Sequence, residues 1–455
     1  MIVGLFLACA TRSAEGQSSP SGPEFRVNSS TTGNQLAPAV GVNPTTGEFA
    51  VVFRDQEPVI GVDGATYLLF DAAGNREATS GFQAGFTTGL GMAGLAPGGF
   101  VFFGPSGYSN SNQVEGGFIS STSLQTGLLA STNTGAKSEV KVAAAADGDY
   151  VVVWTNDVQE GSGSGIFGRR FAYPVTPLGD ADFRINTTIS GTQRSPSVAR
   201  SAGGDFVVVW QSGPPGGGCC TQIMGQRFLS FGAPVATEFQ ISTDTSFGNY
   251  FPDVASDASG NFVVVWHAYE SYYLANVLAR RYSSSGVALG APFRVNTYTT
   301  SYALAAKVTR RNGDFIVVWQ QAAPGDGAKL GIFARRYAPD GSSLGAIFQV
   351  NSTTLRDQYV PAIASKPDGG FVVVWTTPSL DGDGGGVFGQ KYCLGGDANG
   401  NGSVDVADIF YEINYLFAAG PPPKGCADVN GTGTLDVADV FYLINYLFAS
   451  GPPPV

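Results

Sequence analysis

Charge is scarce in this chain. Only 13% of its 455 residues are Asp, Glu, Lys or Arg, and there is one histidine. The 36 acidic residues outnumber 25 basic ones, for a net charge of −11. No stripe of Lys and Arg runs through the sequence, which argues against a nucleic-acid partner. No apolar run approaches the roughly 18–20 residues that cross a bilayer as a helix, so no transmembrane segment is predicted. Five cysteines are too few for a disulfide-built scaffold. What is abundant is glycine, 63 residues, together with valine and 12% aromatics. Low charge with this composition predicts a mainly β, exported protein.

Residues 1–23 read as a signal-peptide remnant and linker. Met1 to Ala10 is apolar, and Ala8-Cys9-Ala10 has the small side chains of a cleavage site. A charged leader is missing, so Met1 is expected to lie inside a longer signal. Cys9 as a lipid-bearing cysteine is the other reading, but Phe6-Leu7-Ala8 fits the required preceding residues poorly.

Internal repetition dominates residues 24–392. A Val-Val-Val-Trp run or close variant ends at Trp154, Trp210, Trp266, Trp319 and Trp375, at spacings of 56, 56, 53 and 56. Two weaker copies precede them, Ala50-Val51-Val52-Phe53 and Phe100-Val101-Phe102-Phe103, making seven. Each repeat has the same order. A segment such as Ser195–Ala199 leads through a Gly/Asp turn to the apolar run. A variable loop then leads to a strand such as Gly165–Phe171, and a further turn to a Phe-x-Val/Ile-Asn/Ser element such as Phe183–Asn186. Four short strands in 50–56 residues describe one blade of a β-propeller. The apolar run is expected to be buried on both faces, because blades stack face to face. The first element, Phe25-Arg26-Val27-Asn28, is a fourth strand lacking the other three, and the last repeat stops after the third strand at Tyr392. The termini therefore share one blade, and pairing Phe25–Asn28 beside Gly386–Tyr392 is expected to close a seven-bladed ring with no open edge. The Phe-Val-Val-Val-Trp, Gly-Ile-Phe-Gly-Gln-Arg-Phe and Phe-Gln-Val-Asn wording resembles repeats of large bacterial surface and adhesin-like proteins. That resemblance implies no defined reaction.

Residues 393–455 change character. Two twelve-residue loops begin at Asp397 and Asp428, 31 residues apart. Oxygen-bearing side chains occupy positions 1, 3, 5, 7, 9 and 12: Asp397, Asn399, Asn401, Ser403, Asp405 and Asp408, then Asp428, Asn430, Thr432, Thr434, Asp436 and Asp439. Gly402 and Gly433 stand at position 6, where the loop turns sharply. This spacing wraps a short loop around a hard cation that takes six to eight oxygens, so two calcium ions are expected. A helix follows each loop. Ile409, Ile413, Leu416 and Phe417 are assigned to one apolar stripe, and Val440, Ile444, Leu447 and Phe448 to its twin; Gly420 and Gly451, each followed by prolines, end the helices. This small α-helical unit, with Asp in place of Glu at position 12 and no entering helix, resembles a type I dockerin. The resemblance implies calcium-dependent folding and docking onto a cohesin-like module of another protein. Two departures stand out. Thr432 is a weaker ligand than the expected Asp or Asn, and the recognition positions 10 and 11 are Val406-Ala407 and Val437-Ala438. Cys393 and Cys426 flank the loops, and the twofold likeness of the repeats is expected to pair them. The vicinal Cys219-Cys220 forms either a strained ring or two thiols.

No acid/base pair can be named, and the catalytic residues stay unknown. Arg170, Arg227, Arg281, Arg336 and Lys391 recur in the third strands, where pairing with acidic turn residues is expected over a basic ring about the channel. Asp205, Asn261, Asp314 and Asp368 are turn residues. Asp157 and Glu160 read as solvated loop charges, and Asp381 with Asp383 as a weak further cation loop. His267 breaks the repeat and is followed by Tyr269, Glu270, Tyr272 and Tyr273, which suits polysaccharide-lyase chemistry or a sugar-stacking surface; a solvent-facing loop histidine is the expectation. The favoured reading is an extracellular, non-catalytic binding or display protein with a polysaccharide or surface ligand. The alternative is a propeller-based glycoside hydrolase or polysaccharide lyase carrying a dockerin.

Overall fold

The computed structural model describes residues 18–455 apart from 58–61, 87–88, 107–112, 158–162, 215–219, 244–246, 272–273, 299–300, 312, 323–328, 379, 381–383, 431, 433, 450, 452–453 and 455. Residues 1–17, Glu160, Cys219, Tyr272, Tyr273, Asp381, Asp383 and Gly433 thus lie outside the described residues. The chain forms two compact units, one of residues 22–367 with 371–391, the other built on Tyr392–Val455.

The first unit is a seven-bladed propeller. Its seven antiparallel sheets each follow sequence order, as in blade four: Thr192–Arg200, Phe206–Gly213, Gln222–Phe228 and Pro234–Gln240. Innermost strands touch their neighbours in cyclic order, and the ring returns from Tyr359–Ser365 to Asn34–Val42. Closure occurs where the split repeat predicts it. Phe25 pairs with Gly389 and Arg26 with Phe388, and Val27 N–H donates to Val387 O at 2.8 Å.

The recurring sequence tokens have separate physical tasks. The apolar run is the second strand, buried along its length in blades two, three and seven. Trp154, Trp210, Trp266, Trp319 and Trp375 are buried between blades. At roughly 200 Å² per ring and roughly 25 cal/mol per Å², each contributes about 5 kcal/mol as an upper bound. The Phe or Tyr that opens this strand stacks on the aromatic residue ending the third. Phe206–Phe228 centroids lie 4.8 Å apart at 9°, and Phe315–Tyr337 4.9 Å apart at 9°. The fourth-strand Phe leans on that pair, as Phe183 does on Phe206 and Phe228. A third-strand glycine leaves room for it: a Cβ at Gly389 would stand 2.8 Å from the ring of Phe25. The Asn or Ser closing the fourth-strand motif supplies an acceptor to the third strand. Asn186 Oδ1 accepts from Ile166 N–H at 2.7 Å, Asn351 from Ile332 at 2.8 Å, and Asn28 from Val387 at 2.8 Å.

The recurring cations differ from expectation. Arg170 donates to Ser230 O at 3.0 Å and Arg281 to Pro339 O at 2.7 Å; Arg227 and Lys391 likewise reach Ser285 O and Ala73 O. They bind turn carbonyls of the neighbouring blade, neither acidic turn residues nor the channel. Among the described residues only Arg336 of these five pairs with an acid, Asp314, at 3.2 Å. Asp205 and Asn261 accept from turn amides, while Asp314 opens a strand.

Six innermost strands bulge about one left-handed residue. Ala37, Glu139, Ser195, Phe251, Ala305 and Val360 have φ of 49–57°, and Gly89 takes the place in blade two. Non-glycine residues held there cost on the order of 1 kcal/mol or more each. The preceding blade offsets this by accepting the bulge amide. Thr376 Oγ1 accepts from Ala37 N at 3.1 Å, Gln211 Oε1 from Phe251 N at 3.3 Å, and Gln320 Oε1 from Val360 N at 2.8 Å. These acceptors all directly follow the blade's tryptophan.

The second unit contains helices α1 (Val406–Ala418) and α2 (Val437–Ala449). Leu394, Val404, Ile409, Val429, Val440 and Leu443 form its core. Cys393 and Cys426 are joined by a disulfide with Cα atoms 5.7 Å apart, and Ser18–Pro20 pairs with Tyr392–Leu394.

Candidate functional site

Two places stand out, one in each unit. In the C-terminal unit the loops precede their helices as expected. Asp405 caps α1: its side chain accepts from Ala407 N–H at 2.7 Å, while Asp408 Oδ2 accepts from Asp405 N–H at 2.9 Å. Asp436 and Asp439 repeat these bonds at 2.7 and 2.9 Å. The first carboxylate folds each loop inward. Asp397 accepts from Asn401 N–H at 3.0 Å and Gly402 N–H at 2.8 Å, and Asp428 accepts from Thr432 N–H at 3.1 Å. Gly402 has φ +86°, the left-handed turn that position 6 requires. Asp397, Asp408 and Asp439 are buried. Burial pushes Asp408 up to about 6, with Asp397 and Asp405 adding to the rise against the pull of the Asp405 and Asn399 amides. Buried carboxylates in an all-oxygen donor set fit a hard divalent cation, whose charge would relieve their mutual repulsion. Among the described residues no three carboxylate, histidine or cysteine groups converge, so each donor set needs its Asn, Ser and Thr oxygens.

Glu412 was not singled out by the sequence. It is fully buried on α1, at the place of Leu443 on α2, and neither carboxylate oxygen has a partner among the described residues. Burial first, then Asp439 and Asp408, push it up to about 8. The signal was available: apart from the matched Asp408 and Asp439 it is the one charged residue in the helix pair, and it stands where the twin helix has a leucine.

The helix stripes divide differently from expectation. Ile409 and Val440 are core, but Ile413, Phe417, Ile444 and Phe448 point outward. With Val406, Phe410, Val437 and Phe441 they give each helix an exposed apolar face, with two phenylalanines on each that are 65–68% exposed. Both helices are apolar nearly all round, so spacing alone selects no face. The left-handed cap of α1 is Ala419 rather than Gly420, which instead donates to Asn414 O at 2.9 Å.

In the propeller, His267 corrects the expectation of a loop residue. It lies on the strand Phe262–Ser271 and is 4% exposed. Its ring stacks near Phe251 at 5.6 Å and Tyr250 at 6.0 Å, with Tyr269 edge-on at 5.7 Å and Tyr302 next to Tyr269 at 6.1 Å. His267 follows Trp266, the place of the bulge acceptors, yet Nδ1 has no partner among the described residues. Burial, helped by the nearby Lys307 charge, lowers its pKa to about 4, so the imidazole is neutral near pH 7. Asp157 is exposed and faces Arg194 at 3.5 Å.

An axial cavity of about 290 Å³ lies inside the bulges, lined by Lys141, Ser197, Asp253 and Lys307 among small apolar residues. Asp253 accepts from Ser197 Oγ and Val308 N–H, both at 2.9 Å, with Lys307 Nζ at 3.8 Å.

Residues 395–448 match the Dockerin type I domain. The match spans both dockerin loops and nearly all of both helices, and leaves the propeller outside it. No curated protein matches the chain in sequence. Among solved structures, the polysaccharide lyase Uly1 superposes with a TM-score of 0.50 at 8% identity, over 81% of this chain and 91% of that one. A protein of unknown function from Dyadobacter fermentans gives 0.46 at 11%, over 82% and 98%. An α-L-arabinofuranosidase of Fusarium graminearum, in complex with arabinobiose, gives 0.45 at 10%, over 67% and 92%. At such identities the likeness concerns the fold alone.

Proposed function

We propose that the chain is an extracellular binding or display protein whose dockerin module attaches its propeller to a cohesin-like module of another protein. The observation that carries this is the dockerin match over two loop-helix units, each presenting an unpartnered apolar helix face. Calcium at Asp397, Asn399, Asn401, Ser403, Asp405 and Asp408, and at Asp428, Asn430, Thr432, Thr434, Asp436 and Asp439, would order the loops from which both faces project. Each ion would add two charges among buried carboxylates, so binding and folding are coupled. The adhesin-like wording of the repeats supports a display role. Capture of the full chain by immobilised cohesin modules tests the reading. Retention should require calcium and fall when Phe410 and Phe441 are changed to Ala. Calcium-independent retention, or none across a broad cohesin panel, refutes it.

The second reading is a carbohydrate-active enzyme carried by the dockerin. His267 favours it, as a neutral imidazole whose Nδ1 has no partner among the described residues, beside Tyr269 in a fold otherwise built by repetition. Release of unsaturated or reducing ends from a polysaccharide panel, abolished by His267→Ala, decides for this reading.

A further inference from the structure

The His267 cluster and the axial cavity share one cation. Lys307 lines the cavity, and its charge also bears on His267. Phe251 and Asp253 stand two residues apart on one innermost strand, and the left-handed turn at Phe251 leaves that ring 51% exposed. The aromatic rim and the charged wall are therefore adjacent.

The charges are unequal in their needs. Asp253 is satisfied by two neutral donors and Lys307. Among the described residues Lys141 makes no hydrogen bond or ion pair with an acid: Asp253 and Glu139 act on it only through space. Burial, with Lys307 adding to it, lowers Lys141 to about 8. The strand positions equivalent to Lys141, Asp253 and Lys307 in the other blades are Ala39, Gly91, Ser197 and Ala362. Packing of the ring thus tolerates small neutral residues here, and the two lysines are not a requirement of the repeat.

We propose that this face of the propeller binds an anionic glycan, one sugar ring lying on Phe251 and its tyrosine neighbours while a carboxylate or sulfate group reaches Lys307 and Lys141. Aromatic rings offer a flat apolar surface to the C–H face of a sugar, and polar rims supply its hydroxyl partners. A cavity of about 290 Å³ is near the lower end of small-ligand sites, which suits a single sugar unit better than a chain threaded through the ring. Asp253 and Glu139 offset the two ammonium groups through space, so an anion would be held by direct contact with Lys307 and Lys141 rather than by net charge.

The inference rests on the propeller being the ligand-bearing part. It requires neither docking nor turnover, so failure of either reading above leaves it standing. Full-length protein is titrated calorimetrically with polygalacturonate, with its methyl ester and with a sulfated galactan, at low and high salt. Wild type should bind at least one anionic polymer about tenfold more tightly than the ester, the worth of one well-placed charge contact. The two anionic polymers separate carboxylate from sulfate as the recognised group. Lys141→Gln with Lys307→Gln should erase the preference and flatten the salt dependence, while Phe251→Ala should weaken all binding. Arg356→Gln, an exposed charge elsewhere, should change neither, and unaltered melting of each variant guards against misfolding. Equal affinity for acid and ester, anion binding untouched by the lysine changes, or no binding to any of the three overturns the proposal.

Discussion

The ring is closed only by non-covalent bonds, and this seam is the place to test the architecture. Phe25 packs on Phe70 at 5.8 Å and Phe49 at 6.5 Å. Asn28 accepts the Val387 amide at 2.8 Å and donates to Gln35 Oε1 at 3.2 Å. Phe25 is only partly buried, so Phe25→Ala should cost about 2–3 kcal/mol, below the full range for a core phenylalanine. Asn28→Ala leaves the buried Val387 N–H without its acceptor, at about 1–3 kcal/mol. The two are neighbours and will not add simply, and about 4 kcal/mol for the pair is a fair centre. That raises the population with the first strand detached by about a thousandfold. Phe183→Ala with Asn186→Ala is the internal reference. It removes the same contacts in blade three, where the fourth strand is tethered at a short turn. Hydrogen exchange read at the Val387 and Ile166 amides compares the two, alongside urea unfolding. Seam variants should expose Val387 through local opening at urea concentrations where Ile166 in the reference pair stays protected. Equal protection in both pairs would refute velcro-type closure as the weakest point of the ring.

Three further outcomes are expected. A fragment of residues 392–455 should gain helicity by circular dichroism on calcium addition and lose it to chelator; Asp397→Ala or Asp408→Ala should weaken this more than Thr432→Ala, and calcium-independent helicity would count against metal-coupled folding. Reducing Cys393–Cys426, 33 residues apart, should destabilise the same fragment by about 3–4 kcal/mol, seen as a lower urea midpoint, and leave the propeller transition in place. His267 is the only histidine, so its proton resonance is unambiguous. Its folded pKa of about 4 lies below the ordinary 6.5, so the unfolded chain takes up the proton first. Stability should therefore be full above pH 6.5 and fall by about 3 kcal/mol as pH drops to about 4, a slope that His267→Gln removes.

Repetition made the propeller readable because each recurrent token has one physical task. Tryptophan fills the space between blades, the Phe of the fourth strand leans on a stacked aromatic pair, and Asn28, Asn186 and Asn351 each take one amide that the ladder leaves open. Such tasks fix residue type at a fixed spacing, and spacing survives in a sequence. What stayed hidden depends on partners in a neighbouring blade, some 50 residues away. Arg170 and Arg281 bind carbonyls, and a carbonyl leaves no mark on residue identity, so the acidic partners expected for them were the wrong kind of partner. His267 was misplaced for a related reason. A polar residue after a tryptophan looks like the start of a loop, yet Thr155, Gln211, Gln320 and Thr376 stand at the same step on strands that continue past it. Read as a column, these residues form a ring of side chains turned toward the axial bulges, and Gln211, Gln320 and Thr376 each take a bulge amide. Among the described residues, the Nδ1 of His267 in that column has no bond, while an aromatic cluster surrounds the ring. A repeat protein carries its chemistry where a column loses its structural task, and by that measure the axial face at blades five and six is where this ring departs from mere architecture.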